Sequence, residues 1–168
     1  MTIVDPDRIR LIGWTLLACE AACTTAWVIA TVYYNAVGNF TLSSAGLTAL
    51  ASPHTALAAV VVAINYDVAQ HCKDGSCTDL MPPVTWYLVP FLAIPFDVLQ
   101  LHANANFLPD ASAPVALAAV SLLISVAVST WSLVAFFVVR EATKAVLGAR
   151  KESALLRSRR LLIAPRVL

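Results

Sequence analysis

Hydrophobic residues in this chain are gathered into four long stretches that short polar segments separate. Each stretch has the roughly 17–25 residues that an α-helix needs to cross the hydrocarbon core of a bilayer. The predicted spans cover about residues 11–34, 47–69, 84–107 and 115–139. We therefore predict an all-α integral membrane protein with four transmembrane helices, short loops and a basic amphipathic C-terminal tail. The transmembrane domain covers residues 1–139, and the tail covers 140–168.

Positive charge is missing from the predicted spans. Lysine and arginine are absent from residues 11–72 and 74–139, and a cation at the centre of a bilayer costs about 3 kcal/mol on insertion scales. The composition agrees, because 60% of the residues are hydrophobic and 12% are charged, against roughly 25% charged residues in a soluble domain. The mean hydropathy of +0.78 is likewise far above that of a soluble domain, which excludes that class.

Eight of the eleven basic residues lie in the tail, where Glu141 and Glu152 leave a local net charge of +6. Next to a membrane span, such a tail contacts lipid headgroups more often than nucleic acid, and we expect no nucleic-acid partner. Bases that alternate with leucine suit either a helix on anionic headgroups or a tail docked on an acidic partner. The candidate lipid- or partner-binding residues are Arg150, Lys151, Arg157, Arg159 and Arg160.

The distribution of basic residues also predicts an orientation. The tail, with Arg8 and Arg10, places both termini on the cytoplasmic or matrix side by the positive-inside rule. The loop with Cys72 and Cys77 then shares that reducing side, where thiols stay free, whereas an oxidising compartment favours a disulfide between them. This cysteine pair is a disulfide candidate and argues mildly against the predicted orientation.

Small residues recur at helical spacing in two of the spans. One stripe consists of Ala18, Ala22, Ala26 and Ala30, and the other of Ser121, Ser125 and Ser129, with Ala118 and Ser132 nearby. Helices associate in lipid through close backbone approach at small residues and through serine hydrogen bonds. Both stripes therefore predict tight helix–helix contact.

Glu20 is the sharpest anomaly in the first span. It lies nine residues into the span, about 14 Å deep and so near the bilayer midplane, and no lysine or arginine in any span neutralises it. At 100° per residue it shares a face with Gly13, Leu16, Thr24, Trp27 and Thr31. One interpretation is a proton or cation relay, and the other is a protonated carboxyl group bonded to a neighbouring hydroxyl or carbonyl.

A second acidic site is predicted in the third span. Asp97, Gln100 and Asn104 fall on one face, and Pro90 and Pro95 are expected to kink the helix and free backbone carbonyls. A polar stripe beside a broken helix is how many transporters build a mid-depth binding site. In a kinked helix inside a bundle, the same polar side chains also serve as hydrogen-bond partners for the freed backbone groups. With Glu20, these three polar residues are the candidates for an ion or proton pathway.

His54 lies in the second span on the same face as Ala58, Val61 and Asn65. A histidine in a span is able to ligate haem iron, titrate near neutral pH or accept a hydrogen bond. His54, ten residues and then Asn65-Tyr66 resembles the His–x10–Asp–Tyr pattern in the haem-bearing membrane anchor of succinate dehydrogenase. Asn65 departs from that family's Asp, and four predicted spans exceed its usual three. The resemblance implies His54 as a haem ligand.

The sequence holds no Walker loop, dinucleotide fingerprint, zincin helix or nucleophile elbow. We predict neither an enzyme nor a metal site, we expect bound lipids, and the sequence leaves the cofactors open. The first predicted function is a non-catalytic subunit of a larger membrane complex, with other subunits or copies of itself as partners. The second is a small homo-oligomeric channel or carrier for protons or cations, and the third is a haem- or quinone-binding anchor of a redox complex.

Overall fold

The computed structural model describes residues 5–37, 44–73, 84–107 and 112–163, and apart from Asp5 and Val37 these residues are helical. The helices are α1 Pro6–Ala36, α2 Ser44–Lys73, α3 Val84–Leu88, α4 Ala93–Phe107 and α5 Ser112–Ile163. A 3-10 turn, Val89–Leu92, joins α3 to α4, and the three pieces form one apolar segment. With α1, α2 and α5 it gives four helical segments that are long and apolar enough to cross a membrane. The all-helical prediction is confirmed at this level.

The first helix has clear start and stop signals. The side chain of Asp5 accepts a hydrogen bond from the backbone N–H of Asp7 at 3.0 Å, and Pro6 occupies the first turn. At the other end, the N–H of Val37 donates to the carbonyl of Tyr33 at 3.1 Å. Between these caps α1 runs for 31 residues without a break.

Proline interrupts the third apolar segment. Pro90 lies in the 3-10 turn between α3 and α4, because a proline in a helix interior has no N–H to donate and clashes with the preceding turn. Beside this break, the hydroxyl of Ser132 in α5 donates to the carbonyl of Tyr87 at 2.6 Å. Pro95 lies in the first turn of α4, where a missing N–H interrupts no hydrogen bond within that helix. The predicted interruption is confirmed at Pro90.

A proline within α2 is accommodated locally. Pro53 has no N–H for the carbonyl of Ala49, and the hydroxyl of Ser52 donates to that carbonyl at 2.9 Å. The helix therefore continues through Pro53 and carries the next residue, His54, into the interior of the bundle.

Side-chain contacts show that neighbouring helices are antiparallel. The indole N–H of Trp131 in α5 donates to the carbonyl of Ile9 in α1 at 2.8 Å, and the thiol of Cys23 donates to the carbonyl of Leu117 at 3.3 Å. Residue numbers increase along α1 in the direction in which they decrease along α5, so these two helices are antiparallel. The same holds for α2 and the third segment, where Tyr87 Oη donates to Asp67 at 2.5 Å and His54 contacts Gln100 at 3.1 Å.

The four segments therefore run up, down, up and down, and the bundle has two ends. We call the end with Pro6, Lys73 and Val84 the proximal end, and the end with Ala36, Ser44, Phe107 and Ser112 the distal end. His54 lies between them, ten residues after the first residue of α2. It divides the bundle into a proximal half and a distal half.

The hydrophobic core occupies the proximal half. Its buried members are Ile9, Leu57, Val61, Ile64, Val68, Tyr87, Ala93, Val128, Trp131, Ala135 and Val139. In the distal half, the buried hydrophobic residues among the described side chains are Cys23, Trp27 and Ala118. Apolar packing is therefore concentrated on one side of His54.

The two predicted small-residue stripes have different surroundings. The serine stripe of α5, with Ala118 and Ser132, is fully buried, so the predicted tight packing along this face is confirmed. The alanine stripe of α1 lies towards the outside of the bundle, where Ala18 and Ala22 are exposed and Ala26 and Ala30 are half-buried. Contact of the alanine stripe with a second chain stays a prediction.

Candidate functional site

Polar side chains from all four apolar segments meet inside the bundle. Glu20 comes from α1, His54 from α2, Asp97 and Gln100 from α4, and Ser121 from α5, and none is more than 4% exposed. We call these five residues the acid–histidine cluster. Glu20 is the fifteenth of 31 residues in α1, so the cluster lies deep within the length of the bundle.

The imidazole of His54 lies at the centre of the cluster. Its Nδ1 contacts Glu20 Oε1, and its Nε2 lies 3.1 Å from Gln100 Oε1 and 3.3 Å from Asp97 Oδ1. Both ring nitrogens thus face oxygen atoms. This arrangement suits an imidazolium ion that donates from both nitrogens, or a neutral ring that accepts a proton from a carboxyl group.

Ser121 links the two acidic residues. Its Oγ lies 3.2 Å from Glu20 Oε1 and 3.3 Å from Asp97 Oδ1. A hydroxyl donates one proton, so Ser121 is able to donate to one carboxylate and accept from the other when that one is protonated. On the next turn of α5, Ser125 lies beside the carboxyl group of Asp97. The serine stripe therefore lines the cluster as well as packing α5 against its neighbours.

Helical spacing explains how single residues reach the cluster. On α4, Asp97, Gln100 and Asn104 follow one another at intervals of three and four residues and are all buried. On α1, Glu20 shares its buried face with Gly13, Trp27 and Thr31. The faces predicted for both helices are the faces that the structure buries.

The charges of the cluster are balanced only by protons. No lysine or arginine contacts it among the described residues. Each carboxyl group carries −1 when deprotonated and His54 carries +1 when protonated, so the three groups are neutral when they hold two protons. Uncompensated charge is costly in a buried site, so the favoured form is the neutral one, in which the three groups together hold two protons. One proton site then stays empty beside two occupied ones.

Three of the predicted pathway residues come together, and one lies apart. Glu20, Asp97 and Gln100 are in the cluster, whereas the amide Nδ2 of Asn104 donates to the carbonyl of Pro114 at 3.5 Å, towards the distal end. Sequence reasoning treated His54 as a separate haem candidate and placed Ser121 in a packing stripe. The missed signal is that both lie about ten residues after the distal end of their helices, His54 in α2 and Ser121 in α5, while the neighbouring spans carry acids without a lysine or arginine to neutralise them.

Haem ligation by His54 stays a prediction. A ring nitrogen must be free of other partners to bind iron, and both nitrogens of His54 contact oxygens of neighbouring helices. Asn65, the other polar residue of the predicted pattern, is buried beside Gly13 and Trp131. Within the described ranges, no three His, Cys, Asp or Glu side chains are placed to hold a metal ion.

The remaining candidates lie away from the cluster. Cys72 is in the last turn of α2 with its side chain outside the described part, and Cys77 lies outside the described residues, so their disulfide stays a prediction. Arg150, Lys151 and Arg157 are exposed on α5. Arg159 and Arg160 continue that helix, although their side chains are outside the described part.

Two grooves on the outer surface of the bundle offer space for small apolar groups. One of about 270 Å³ is lined by Ala59, Ala63 and Trp86, and one of about 620 Å³ runs along Val28, Ala51 and Thr55. Neither groove is lined by a residue of the acid–histidine cluster. They suit lipid chains better than a polar substrate on its way to the cluster.

Comparisons of this chain with protein-family models, curated proteins and solved structures found no match. A function for the chain therefore rests on the geometry and chemistry of its own residues.

Proposed function

We propose that this chain is a multi-pass integral membrane protein that carries protons across the bilayer, as a small proton channel or proton-coupled carrier. The observation that supports this function is the contact of both ring nitrogens of His54 with carboxyl oxygens, those of Glu20 and Asp97, inside an apolar bundle. Two protons on three groups give a donor beside an acceptor, which is the arrangement that proton transfer needs.

Insertion into a membrane is supported by the outer surface of the bundle. Large apolar side chains point outward along the segments, with Leu123 69% and Ile29 64% exposed. A soluble protein rarely exposes so continuous an apolar surface, whereas lipid covers it at no cost. The acid–histidine cluster and the serine stripe of α5 are instead turned inward, as expected where the surrounding solvent is hydrocarbon.

The geometry favours a proton over a larger cation. A metal ion between two carboxylates needs space surrounded by oxygen ligands, and here the imidazole ring fills the space between Glu20 and Asp97. With two protons on the three groups, one carboxyl group is protonated and the charge that balances the other is the proton on His54. Ionisable residues inside a span commonly form proton relays for the same reason.

Proton flux into liposomes tests the proposal. Purified protein is reconstituted with a pH-sensitive dye inside the vesicles, and a potassium gradient with valinomycin drives proton entry. We expect Glu20→Gln, Asp97→Asn and His54→Gln each to lower the flux at least ten-fold, because each removes one titratable site and keeps a polar side chain. Glu141→Gln is the matched control, since Glu141 is exposed and pairs with Lys144 at 2.8 Å.

Flux that stays at the wild-type level in all three cluster variants contradicts the proposal. Equal loss in Glu141→Gln assigns the effect to general damage and contradicts it as well. Circular dichroism of each variant separates lost proton transfer from lost folding. A homo-oligomer, with both termini on the cytoplasmic or matrix side, is the arrangement we propose for this carrier.

A subunit role in a larger membrane complex is the second candidate, and the extension of α5 favours it. Beyond Val139 the helix continues unbroken to Ile163, about 36 Å at 1.5 Å per residue. Arg157 then lies about 27 Å past Val139 along the helix, whereas attraction to anionic lipids fades within a Debye length of about 8 Å. Leu155 and Leu156 are 64% and 55% exposed on this extension. An acidic partner with an apolar strip matches it better than headgroups do.

Native electrophoresis after mild extraction tests the subunit role. We expect a species well above the 17.9 kDa of the single chain, which Leu155→Ser with Leu156→Ser reduces in size. Migration of the wild-type protein as an isolated monomer contradicts both this role and a homo-oligomeric carrier. A larger species that contains only this chain favours the carrier.

A further inference from the structure

Thr24 and Thr31 of α1 differ from four other threonines of the bundle in how they use their hydroxyl groups. Thr15 and Thr25 each donate to the carbonyl four residues earlier in α1, at 2.9 and 2.8 Å. Thr130 and Thr143 of α5 do the same, both at 2.9 Å. The hydroxyls of Thr24 and Thr31 are buried and form no hydrogen bond.

These two threonines lie on the face of α1 that carries Glu20. Thr24, Trp27 and Thr31 follow Glu20 at intervals of four, three and four residues, which places them in one row that leads from the cluster to the distal end. Trp27 and Thr31 are each 1% exposed, and the indole N–H of Trp27 is also buried without a partner. At the start of the row, Glu20 Oε2 and Gln100 Nε2 are unpartnered too.

Buried polar groups with no protein partner need another one. Leaving a donor or acceptor unsatisfied costs about 1–3 kcal/mol each, and threonine has the alternative of bonding its own helix, as Thr15 and Thr25 do. Ordered water is the usual partner of such groups in protein interiors. Thr24 and Thr31 are separated by about 10 Å of helix rise at 1.5 Å per residue, so satisfying all three groups takes several waters that bond to the row and to one another.

Among the described residues, the proximal half offers no comparable row. Its indole, Trp131 Nε1, donates to the carbonyl of Ile9 at 2.8 Å, and Ser129 and Ser132 donate to backbone carbonyls. The buried side-chain atoms without a partner on that side belong to Arg10, Asn65 and Ser125. They come from three different helices, α1, α2 and α5, and so do not form a row along one helix face.

We infer that the row of Thr24, Trp27 and Thr31 binds a chain of water molecules that connects the acid–histidine cluster to the distal side of the membrane, while the proximal half stays dry. This inference rests on the proposed function, because the water chain is the route by which protons would reach the acid–histidine cluster. In this conformation, Glu20 then exchanges protons with the compartment on the distal side. Cys23 is the further titratable group near this route, and its thiol is held by the carbonyl of Leu117.

The two buried tryptophans provide a matched pair for the test. Trp27 and Trp131 are 1% and 4% exposed, and they lie in the distal and proximal halves. The chain has four tryptophans, so four indole N–H signals are expected in a spectrum of ¹⁵N-labelled protein in detergent. Trp27→Phe and Trp131→Phe assign the two signals of interest.

We expect the Trp27 indole proton to exchange with water at least ten-fold faster than that of Trp131. Thr31→Val, which removes a hydroxyl from the row at nearly constant volume, should slow the Trp27 exchange several-fold. Thr25→Val is the control, because Thr25 faces outward and bonds to its own helix. Exchange at Trp27 as slow as at Trp131 overturns the water chain, and so does equal slowing by both threonine variants.

This experiment distinguishes failure of the route from failure of the function. Fast exchange at Trp27, together with proton flux that is insensitive to Glu20, His54 and Asp97, keeps the hydrated row and rejects proton carriage. Slow exchange at Trp27, together with flux that needs the cluster, rejects the row and keeps proton carriage. If both hold, Thr31→Val should also lower the flux several-fold and Thr25→Val should not.

Discussion

The two halves of the bundle have similar helices but opposite interiors. In the proximal half, eleven buried hydrophobic residues pack together, and the polar side chains between them mostly bond to backbone carbonyls. In the distal half, three of the described buried residues are hydrophobic, and polar groups of Thr24, Trp27 and Thr31 lack protein partners. The acid–histidine cluster lies at the boundary.

Under the proposed function, this difference separates stability from proton transfer along the bundle axis. Close packing of side chains, which a void or an extra group disturbs, holds the proximal half together. A polar interior contributes less packing but permits water near ionisable groups. If the whole interior were dry, protons would have no route to the buried acids. If the whole interior held water, protons would pass from one side to the other without control.

The sharpest way to break this comparison is a new polar group in each half. Ile64→Asn removes core packing and buries an amide without partners, and we expect it to lower the free energy of unfolding by about 4 kcal/mol. Thr31→Asn keeps the volume and adds an amide where water is available, so its expected cost is below about 1 kcal/mol. Unfolding in mixed micelles with increasing dodecyl sulfate measures both.

Ile64→Ala is the control that isolates the polar contribution. It removes more side-chain volume than Ile64→Asn and adds no amide, so any excess cost of Ile64→Asn over Ile64→Ala must come from the buried amide. A cost for Thr31→Asn that equals the cost for Ile64→Asn shows that the two halves are equally dry.

The close contact of helices in the proximal half gives the next largest effect. A Cβ added to Gly13 lies 2.5 Å from Asn65 Oδ1 and closer still to the ring of Trp131. Overpacking costs about 1–3 kcal/mol, and the helix preference of alanine over glycine returns up to about 1 kcal/mol. We expect Gly13→Ala to lower the free energy of unfolding by about 1 kcal/mol or more.

Gly148 is the matched control for Gly13. It lies on the α5 extension with nothing within 4 Å of an added Cβ, so the helix preference acts alone there. We expect Gly148→Ala to leave the bundle intact and to raise the helicity of the extension. A stabilising Gly13→Ala contradicts the close contact among Gly13, Asn65 and Trp131.

Gly13 and Glu20 show what periodicity is able to predict. Glu20 lies near the middle of a span without lysine or arginine, and helical spacing alone places it on a buried face with Gly13, Trp27 and Thr31. The four helical segments are predicted from apolar length alone, on the argument that a backbone in hydrocarbon has no hydrogen-bond partner other than itself. The helix ends differ from the predicted spans by several residues because caps such as Asp5, and not hydropathy, decide them.

His54 shows what periodicity does not predict. The sequence indicates that it is inside a span, but its distance from Glu20 and Asp97 depends on the relative depth and rotation of three helices. No local pattern specifies these. Ser121 is the same case, since a serine in a small-residue stripe fits packing as well as it fits a hydrogen bond to a carboxylate. The arrangement of the site therefore depends on how the helices pack against one another and not on the sequence pattern of any single helix.

The smallest expected effect concerns two serines of α5 in the proximal half. Ser132 donates across the helices to the carbonyl of Tyr87 at 2.6 Å, next to the break at Pro90. Ser129 donates to the carbonyl of Ser125 in its own helix at 2.8 Å. We expect Ser132→Ala to cost about 1 kcal/mol, since it removes a buried hydrogen bond between helices beside the break, and Ser129→Ala, which removes a bond within one helix, to change stability by less than about 0.5 kcal/mol.

The comparison of these two variants reports how dry the proximal half is. In a dry interior no water replaces the lost hydroxyl, so the bond to the carbonyl of Tyr87 is not replaced and the full cost of Ser132→Ala is measured in mixed-micelle unfolding. A water molecule that reached this level would take over the bond, and Ser132→Ala would then cost no more than Ser129→Ala. Equal costs would thus place water on both sides of the acid–histidine cluster, and the bundle would lack the barrier that a one-sided proton route requires.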